Sequence, residues 1–449
     1  MSSVAARRPD SVRYVDPVRN PYAPGAGQRP PELAGRDREL EVFDIVLERI
    51  ARGRPERSLV LTGLRGVGKT VLLNTLRSQA ITRLWGTGKI EARPDQSIRR
   101  PVAAALHMAI RELAPRHRAP DRIDDFLGVL KAFALRSAPT GAGRGAGATR
   151  LRDRWQPGID VPAASGRADS GDIEIDLVEL FTDAAEVAAD VGTGVAVFLD
   201  EMQDLGPEDV SGLCAACHEL SQLGAPLIVV GAGLPHLPAV LSAAKSYSER
   251  LFRYQRIDRL DRIAADQALC APAAREQVEY EPKALDLLYE KSGGYPYFVQ
   301  AYGKATWDSA PRSPVTAADV RVAAPEAETE LAVGFFGSRF ERATPAEREY
   351  MRAMATLSLV EAPEGADGTG GDSTDDGTGG GTGGGSGLRD DMDAAVSTAE
   401  IARSLGRKPA SLSPARDALI KKGLIYSGER GTVAFTVPHF GRYLRTQPA

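Results

Sequence analysis

Short apolar runs alternate with longer amphipathic stretches through the first 260 or so residues, and only the amphipathic kind continues beyond them. Ser58 to Leu61 (SLVL) is a continuous apolar run ending in a glycine turn, the pattern of a strand buried on both faces of a parallel sheet. Val195 to Leu199 and Leu227 to Val230 repeat it, and Lys89 to Ala92 is a weaker candidate. Between these runs the spacing predicts helices: Leu33 through Ile50, Thr70 to Ala80, and Ile173 to Asp190. Strands alternating with helices predict a doubly wound α/β domain.

From Leu260 onward the strand signals stop, and helices are predicted near 263–275, 282–292, 295–308 and 316–340. Gly293 stands where a helix C-cap is wanted, and Thr316 with Asp319 starts the next helix. Thr344-Pro345-Ala346-Glu347 combines an N-cap, a proline at the first position and a capping-box glutamate. Ser397 to Leu405 predicts a short helix with Ser397 as N-cap and Glu400 closing a capping box; Ser413-Pro414 starts a second, ending at Lys422. GLIYSGERGTVAFTVP then alternates apolar residues around a Gly-Glu-Arg-Gly turn, a two-stranded wing. Helix, helix, hairpin is the order of a winged helix-turn-helix domain.

Composition separates these blocks. Residues 1–32 are rich in Pro, Arg and Gly without an apolar period and predict a disordered tail; 138–172 reads as a flexible surface insertion and 362–389 as a glycine-rich acidic one. The expected organisation is therefore a tail (1–32), an α/β core (33–259), an all-α domain (260–340) and a winged helix domain (341–449). A net charge of −4 excludes a generally basic nucleic-acid coat, so any such partner needs a local patch. Three cysteines do not make a disulfide framework. The opening MSSVAARRPDSVRYVDP has no apolar segment and no run approaches membrane-spanning length, so a cytoplasmic protein with no membrane partner is expected.

GLRGVGKT, Gly63 to Thr70, matches G-x-x-x-x-G-K-[ST], a pattern expected by chance in roughly one such chain per hundred. Glycines let the backbone curl so that the N–H groups of Gly63, Leu64, Arg65, Gly66, Val67 and Gly68 surround phosphate oxygens. Lys69 is expected on the β- and γ-phosphates and Thr70 on Mg²⁺, with the following helix adding its positive N-terminal end. The second element is VAVFLDEMQDL: Asp200 ends an apolar strand where it can serve the Mg²⁺ shell, and Glu201 can deprotonate an attacking water. Acidic residues often merely follow buried strands; the P-loop decides in favour of the functional reading. The expected cofactors are ATP and Mg²⁺.

Cys214-Ala-Ala-Cys217-His218 spells a haem-attachment pattern. Haem is rejected, because the stretch has helical periodicity that places Leu213, Cys217 and Leu220 on one face. A fourth ligand for zinc is missing as well.

Together these residues resemble an AAA+ ATPase of the origin-recognition-initiator type, a group close to the STAND signalling ATPases. LAGRDREL, Leu33 to Leu40, resembles the family's hydrophobic-GR-x-x-E box over the nucleotide base, with Gly35 and Arg36 as its matching positions. GGYPYF, Gly293 to Phe298, resembles the lid element G-x-P, which implies nucleotide contact for Gly294 and Pro296. The resemblance implies a P-loop NTPase core of AAA+ type with a parallel sheet, an all-α lid and a C-terminal winged helix. It departs in two places. Gly231-Ala232-Gly233 follows the Leu227–Val230 strand where the family places a polar sensor residue, so hydrolysis is expected to be slow. Tyr297 follows the G-x-P element where an arginine is usual, and Arg250 is the candidate for reaching the γ-phosphate of a neighbouring subunit, set against an ordinary surface arginine.

Residues 397–449 hold nine Arg and Lys against three Asp and Glu, 9 − 3 = +6. Arg407, Lys408, Arg416, Lys421, Lys422 and Arg430 are the candidates for phosphate contact with double-stranded DNA. DNA ranks first as partner. The competing reading is a STAND-like signalling ATPase that self-associates or binds a protein, its winged helix a regulatory clamp. A P-loop kinase or GTPase ranks below both, since no guanine-reading N-K-x-D element is present.

Overall fold

The computed structural model describes residues 13–25, 27–136, 159–358, 395–427 and 431–447, in two compact units, 1–329 and 330–449. The first is built on five parallel strands: β1 (Ser58–Thr62), β2 (Gly86–Glu91), β3 (Val195–Asp200), β4 (Leu227–Gly233) and β5 (Phe252–Arg256). Their spatial order is β2-β3-β4-β1-β5. Every residue of β1, β3 and β4 is buried, which is why these three read as unbroken apolar runs. Around the sheet run α1 (Asp37–Ala51), α2 (Lys69–Thr82), α3 (Arg99–Leu113), α4 (Pro120–Leu135), α5 (Ile173–Asp190) and α6 (Pro207–Leu223). Cys214 and Cys217 lie buried in α6, as the periodicity requires; burial pushes both thiols up to about 12.

The all-α part follows as α7 (Arg262–Arg275), α8 (Pro282–Ser292), α9 (Pro296–Ser309) and α10 (Ala317–Glu330). These lie within a residue or so of the predicted spans, except that the helical run after 316 is interrupted by a π-helical stretch, Leu331–Gly337. Gly293 caps α8 in the left-handed conformation, and the Thr316 amide and hydroxyl both donate to Asp319 Oδ2 at 2.8 Å.

Two segments expected to be unstructured are packed. Residues 13–25 and 27–32 form a strap along the helical part rather than a disordered tail. Arg13–Tyr14 pairs antiparallel with Arg312–Ser313, Trp307 Nε1 donates to Asp16 O at 2.9 Å, and the buried Tyr22 donates its hydroxyl to Leu269 O at 2.7 Å. The prediction failed because the strap's few apolar residues carry no period, yet two of them, Val15 and Tyr22, are buried. Likewise, residues 159–172 are not a flexible insertion. Ile159 and Ala168 join the main core, Lys131 Nζ donates to Ile159 O and Val161 O, and Ser170 donates twice to Asp176. Asp176 is fully buried against Arg99 Nη1 at 2.7 Å, with the guanidinium 4.6 Å over the Phe133 ring. The rest of that expected insertion (138–158), residues 1–12 and the glycine-rich 362–389 lie outside the described residues.

In the second unit α11 (Pro345–Leu357) starts with the full Thr344/Glu347 capping box. Beyond it come β6 (Val396–Ser397), α12 (Thr398–Ser404), α13 (Pro409–Lys421), β7 (Ile425–Tyr426), β8 (Thr432–Phe435) and α14 (Phe440–Thr446). The helix–helix–hairpin order is as expected, with two local corrections. Ser397 precedes α12 but makes no side-chain cap, because it pairs with Thr432 as part of a third, unexpected strand. And α13 begins at Pro409, so Pro414 sits inside it. Among the described residues no helix is long and apolar enough to cross a membrane.

Asp176→Ala would leave the Arg99 guanidinium buried without its counter-charge and free the 159–172 segment. Loss of about 3–5 kcal/mol of stability is expected, measured as an earlier first transition in urea.

Candidate functional site

The loop from Gly63 to Gly68 emerges between two neighbouring strands. Gly63 N donates to Gly233 O at the end of β4 (3.2 Å), and Ile257 N, just past β5, donates to Thr62 O (2.7 Å). Gly66 and Gly68 have φ of +83° and +89°, conformations that turn the backbone back on itself at little cost only without a Cβ. α2 opens at Lys69 with no acidic residue in its first turn, so its positive end is uncompensated toward the loop. The Lys69 ammonium is buried and donates to Gly63 O and Leu64 O, both at 2.8 Å. Burial lowers its pKa to about 8.

Asp200 ends β3 on the same edge of the sheet, where strand C-termini gather the ligand-binding loops of open α/β sheets. Its carboxylate is 5% exposed and accepts hydrogen bonds from the Thr70 hydroxyl and from Glu201 N (3.0 Å); burial raises its pKa. A hydroxyl beside one carboxylate suits Mg²⁺, which takes one or two carboxylates and completes its shell with water and phosphate oxygens. Among the described residues there is no group of three or more His, Cys, Asp or Glu that could hold a metal ion by itself.

Glu201 adopts a left-handed conformation, φ 51°. Its Oε1 lies 3.1 Å from Arg65 Nη1 in the phosphate loop, and its Oε2 accepts from Gln203 Nε2 at 2.5 Å. Asp204 is pushed up to about 6, by burial first and by the Glu201 charge second.

The expected lid element reaches this loop through the backbone: Tyr297 N, in the first turn of α9 after Pro296, donates to Gly66 O at 3.3 Å. Gly294 has φ +74°, and a Cβ there would overlap Leu260 O, whose residue's N–H donates to Gly294 O. Arg36 is buried and donates to Val67 O in the loop, to Asp258 O on the way to the helical part, and to Gly35 O. The strap passes close as well: a Cβ on Gly27 would stand 3.2 Å from Thr70 Cγ2.

Several expected residues are not brought to the site. Arg250 is exposed just before β5. The register Ser58↔Phe252 and Thr62↔Arg256 puts it at the opposite end of the sheet, so within one chain it does not meet Lys69. In the second unit, Lys422 Nζ is 2.6 Å from Glu347 Oε2, Arg407 Nη1 is 3.1 Å from Glu349, and Arg416 Nη2 is 2.8 Å from Asp417. Lys408 stands at the N-cap of α13 and Lys421 at its last residue. Arg430 lies outside the described residues. Sequence reasoning missed the Arg65–Glu201 pair, Gln203 and the strap; Gln203 alone had a signal, two residues beyond Glu201.

Residues 32–230 match a family model described as AAA ATPase domain. The α/β core has the AAA+ P-loop ATPase fold. Residues 333–370 and 387–444 match a second model, a domain of unknown function (DUF8462). Among solved structures, the chain is similar to a Walker-type ATPase of Pyrococcus abyssi, with a TM-score of 0.53 and 13% identity over 93% of this chain and 97% of that one. It is also similar to the Aeropyrum pernix Orc1 protein in complex with DNA (TM-score 0.38, 14% identity, 92% of each chain). A third is the RuvB Holliday junction branch migration motor of Thermotoga maritima (0.38, 15%, 94% of this chain and 100% of that one). The first likeness supports the fold alone, and the other two overlaps are too low to carry an argument. No curated protein matches the sequence.

The depressed Lys69 pKa has a measurable consequence. Phosphate favours the charged ammonium, so the bound form holds its proton to higher pH than the free form. Affinity for a non-hydrolysed ATP analogue should be level between pH 7 and 7.5. It should then fall above about 8, by up to about tenfold per pH unit, in calorimetric titrations.

Proposed function

We propose that this protein is a Mg²⁺-dependent ATPase that works as a nucleotide switch. The observation that carries this reading is the convergence of Lys69, Thr70, Asp200 and Glu201 on one edge of the sheet, with a lid helix hydrogen-bonded to the same loop. Lys69 and the loop N–H groups hold the β- and γ-phosphates, and Thr70 with Asp200 holds Mg²⁺, which neutralises phosphate charge when bound. Glu201 takes a proton from the attacking water as its oxygen bonds the terminal phosphorus. The bond to the bridging oxygen breaks with its electron pair staying on ADP, and phosphate leaves. The Tyr297–Gly66 hydrogen bond supports coupling between loop and lid, so that phosphate occupancy biases the lid.

Lys69→Ala should abolish nucleotide binding, whereas Glu201→Gln should bind ATP normally and hydrolyse it at least about 100-fold more slowly. Calorimetry and phosphate release measure the two effects. Unchanged turnover in Glu201→Gln would remove Glu201 from its role.

For the C-terminal unit the ion pairs favour a protein partner over DNA. Lys422, Arg407 and Arg416 pair with carboxylates of their own unit, so three of the six candidate cations would have to give up a partner to meet a phosphate. The module is then a winged helix used as a protein-binding surface. Fluorescence anisotropy with duplex DNA should show nothing tighter than the weak non-specific range, about 10⁻⁴–10⁻⁶ M. Tight, salt-sensitive binding lost in Arg416→Ala would reinstate DNA.

A further inference from the structure

The end of β4, Gly231-Ala232-Gly233, carries no polar side chain, and the packing there gives a reason. At Gly231 a Cβ would overlap the Met202 sulfur, and at Gly233 it would stand 2.9 Å from Gln203 Oε1 and 2.7 Å from Leu237 Cδ2. The two glycines are thus where β4 makes room for consecutive residues of the loop after β3. Met202 fills the space beside Gly231 and is fully buried. Gln203 fills the space beside Gly233, and its amide is used at both ends: Oε1 accepts from Leu234 N at 3.1 Å, and Nε2 donates to Glu201 Oε2 at 2.5 Å.

We propose that Gln203 is the positioning residue for Glu201, a polar group delivered to the end of β4 by the neighbouring loop instead of by the strand itself. The proposal rests on the hydrolytic reading above and deepens it. A carboxylate that must take a proton from water has to be held in one orientation, since a misplacement of about 1 Å costs on the order of 100-fold in rate. Glu201 sits on a left-handed residue at a strand end, where its own backbone does little to fix the side chain. One carboxylate oxygen is held by Arg65, whose other task is the phosphate loop; the second is held by Gln203, which Leu234 N anchors to β4. A glutamine is required for this, because the same group must accept at one end and donate at the other.

Three variants of the full-length chain separate the possibilities. Gln203→Met keeps the length and volume but loses both hydrogen bonds. Gln203→Glu keeps an acceptor for Leu234 N and replaces the donor to Glu201 with a repelling carboxylate. Gln203→Ala removes all of it. Each should lower kcat for ATP about 10- to 100-fold, while the Kd for a non-hydrolysed ATP analogue stays within about twofold and the melting temperature is retained. Gln203→Met at the wild-type rate would mean the side chain merely fills space and would overturn the proposal. So would equal losses of kcat and nucleotide affinity in all three, which a structural defect would give. If wild type and Glu201→Gln hydrolyse ATP alike, the hydrolytic reading fails first. If only Glu201→Gln is impaired and the Gln203 variants are not, that reading stands and this inference alone falls.

Discussion

The Arg36 guanidinium is the interaction on which the site's architecture turns. It is a buried cation held by three backbone carbonyls from separate stretches of chain, Gly35, Val67 and Asp258. Desolvation lowers its pKa, and Glu39, Asp258 and Asp261 offset part of that cost. A rigid fork of donors can bridge carbonyls where a lysine's point charge would not. Its place joins the phosphate loop to the segment leading out of β5 into the helical part. Gly35 beside it has φ +66°, and a Cβ there would stand 2.7 Å from Ala264 Cβ of α7. The Gly-Arg pair therefore fixes how the first helix of the lid approaches the loop, whatever else it does for a nucleotide.

The sheet order does the complementary work. Because β4 is inserted between β1 and β3, the phosphate loop and Asp200 are separated by one strand, not adjacent. The gap is closed from both sides: Thr70 reaches Asp200 from the first turn of α2, and Arg65 reaches Glu201 from the loop. β4 itself contributes only backbone there, its terminal Gly233 carbonyl receiving Gly63 N. A central strand that ends in glycine is therefore a consequence of crowding by its neighbours, and the lack of a polar residue on it does not by itself mean a weakened site.

Legibility in the sequence followed burial. β1, β3 and β4 are enclosed on both faces and were read directly, as were the lid helices, whose caps at Gly293 and Thr316 are local chemistry. α3 and α4 went unassigned, because an alanine-rich stretch opening on Arg99-Arg100-Pro101 carries weak boundary signals. The strap and the 159–172 segment were misread for a deeper reason. They have no period of their own and are ordered by distant groups, Trp307 and Leu269 in one case and Asp176 in the other. In the site, motif residues were legible because phosphate chemistry demands those types at that spacing. Gln203 was missed although it stands two residues beyond Glu201, since its role exists only once β4 lies beside the loop after β3.

Charge is where composition misleads most. The C-terminal segment sums to +6, yet a sum treats every cation as though it faced solvent. Glu347 and Glu349 lie before residue 397 and were outside the count, although they neutralise Lys422 and Arg407. Glu347 is buried, caps Thr344 and receives Lys422 in the same carboxylate, so that lysine, itself exposed, is tied to a buried carboxylate of its own unit. The same habit recurs at Arg36 and Arg99: basic side chains are used here to hold chain segments to one another. Only cations that remain after such pairs are removed can define an electrostatic face, so a net charge read from sequence overstates the face this unit presents.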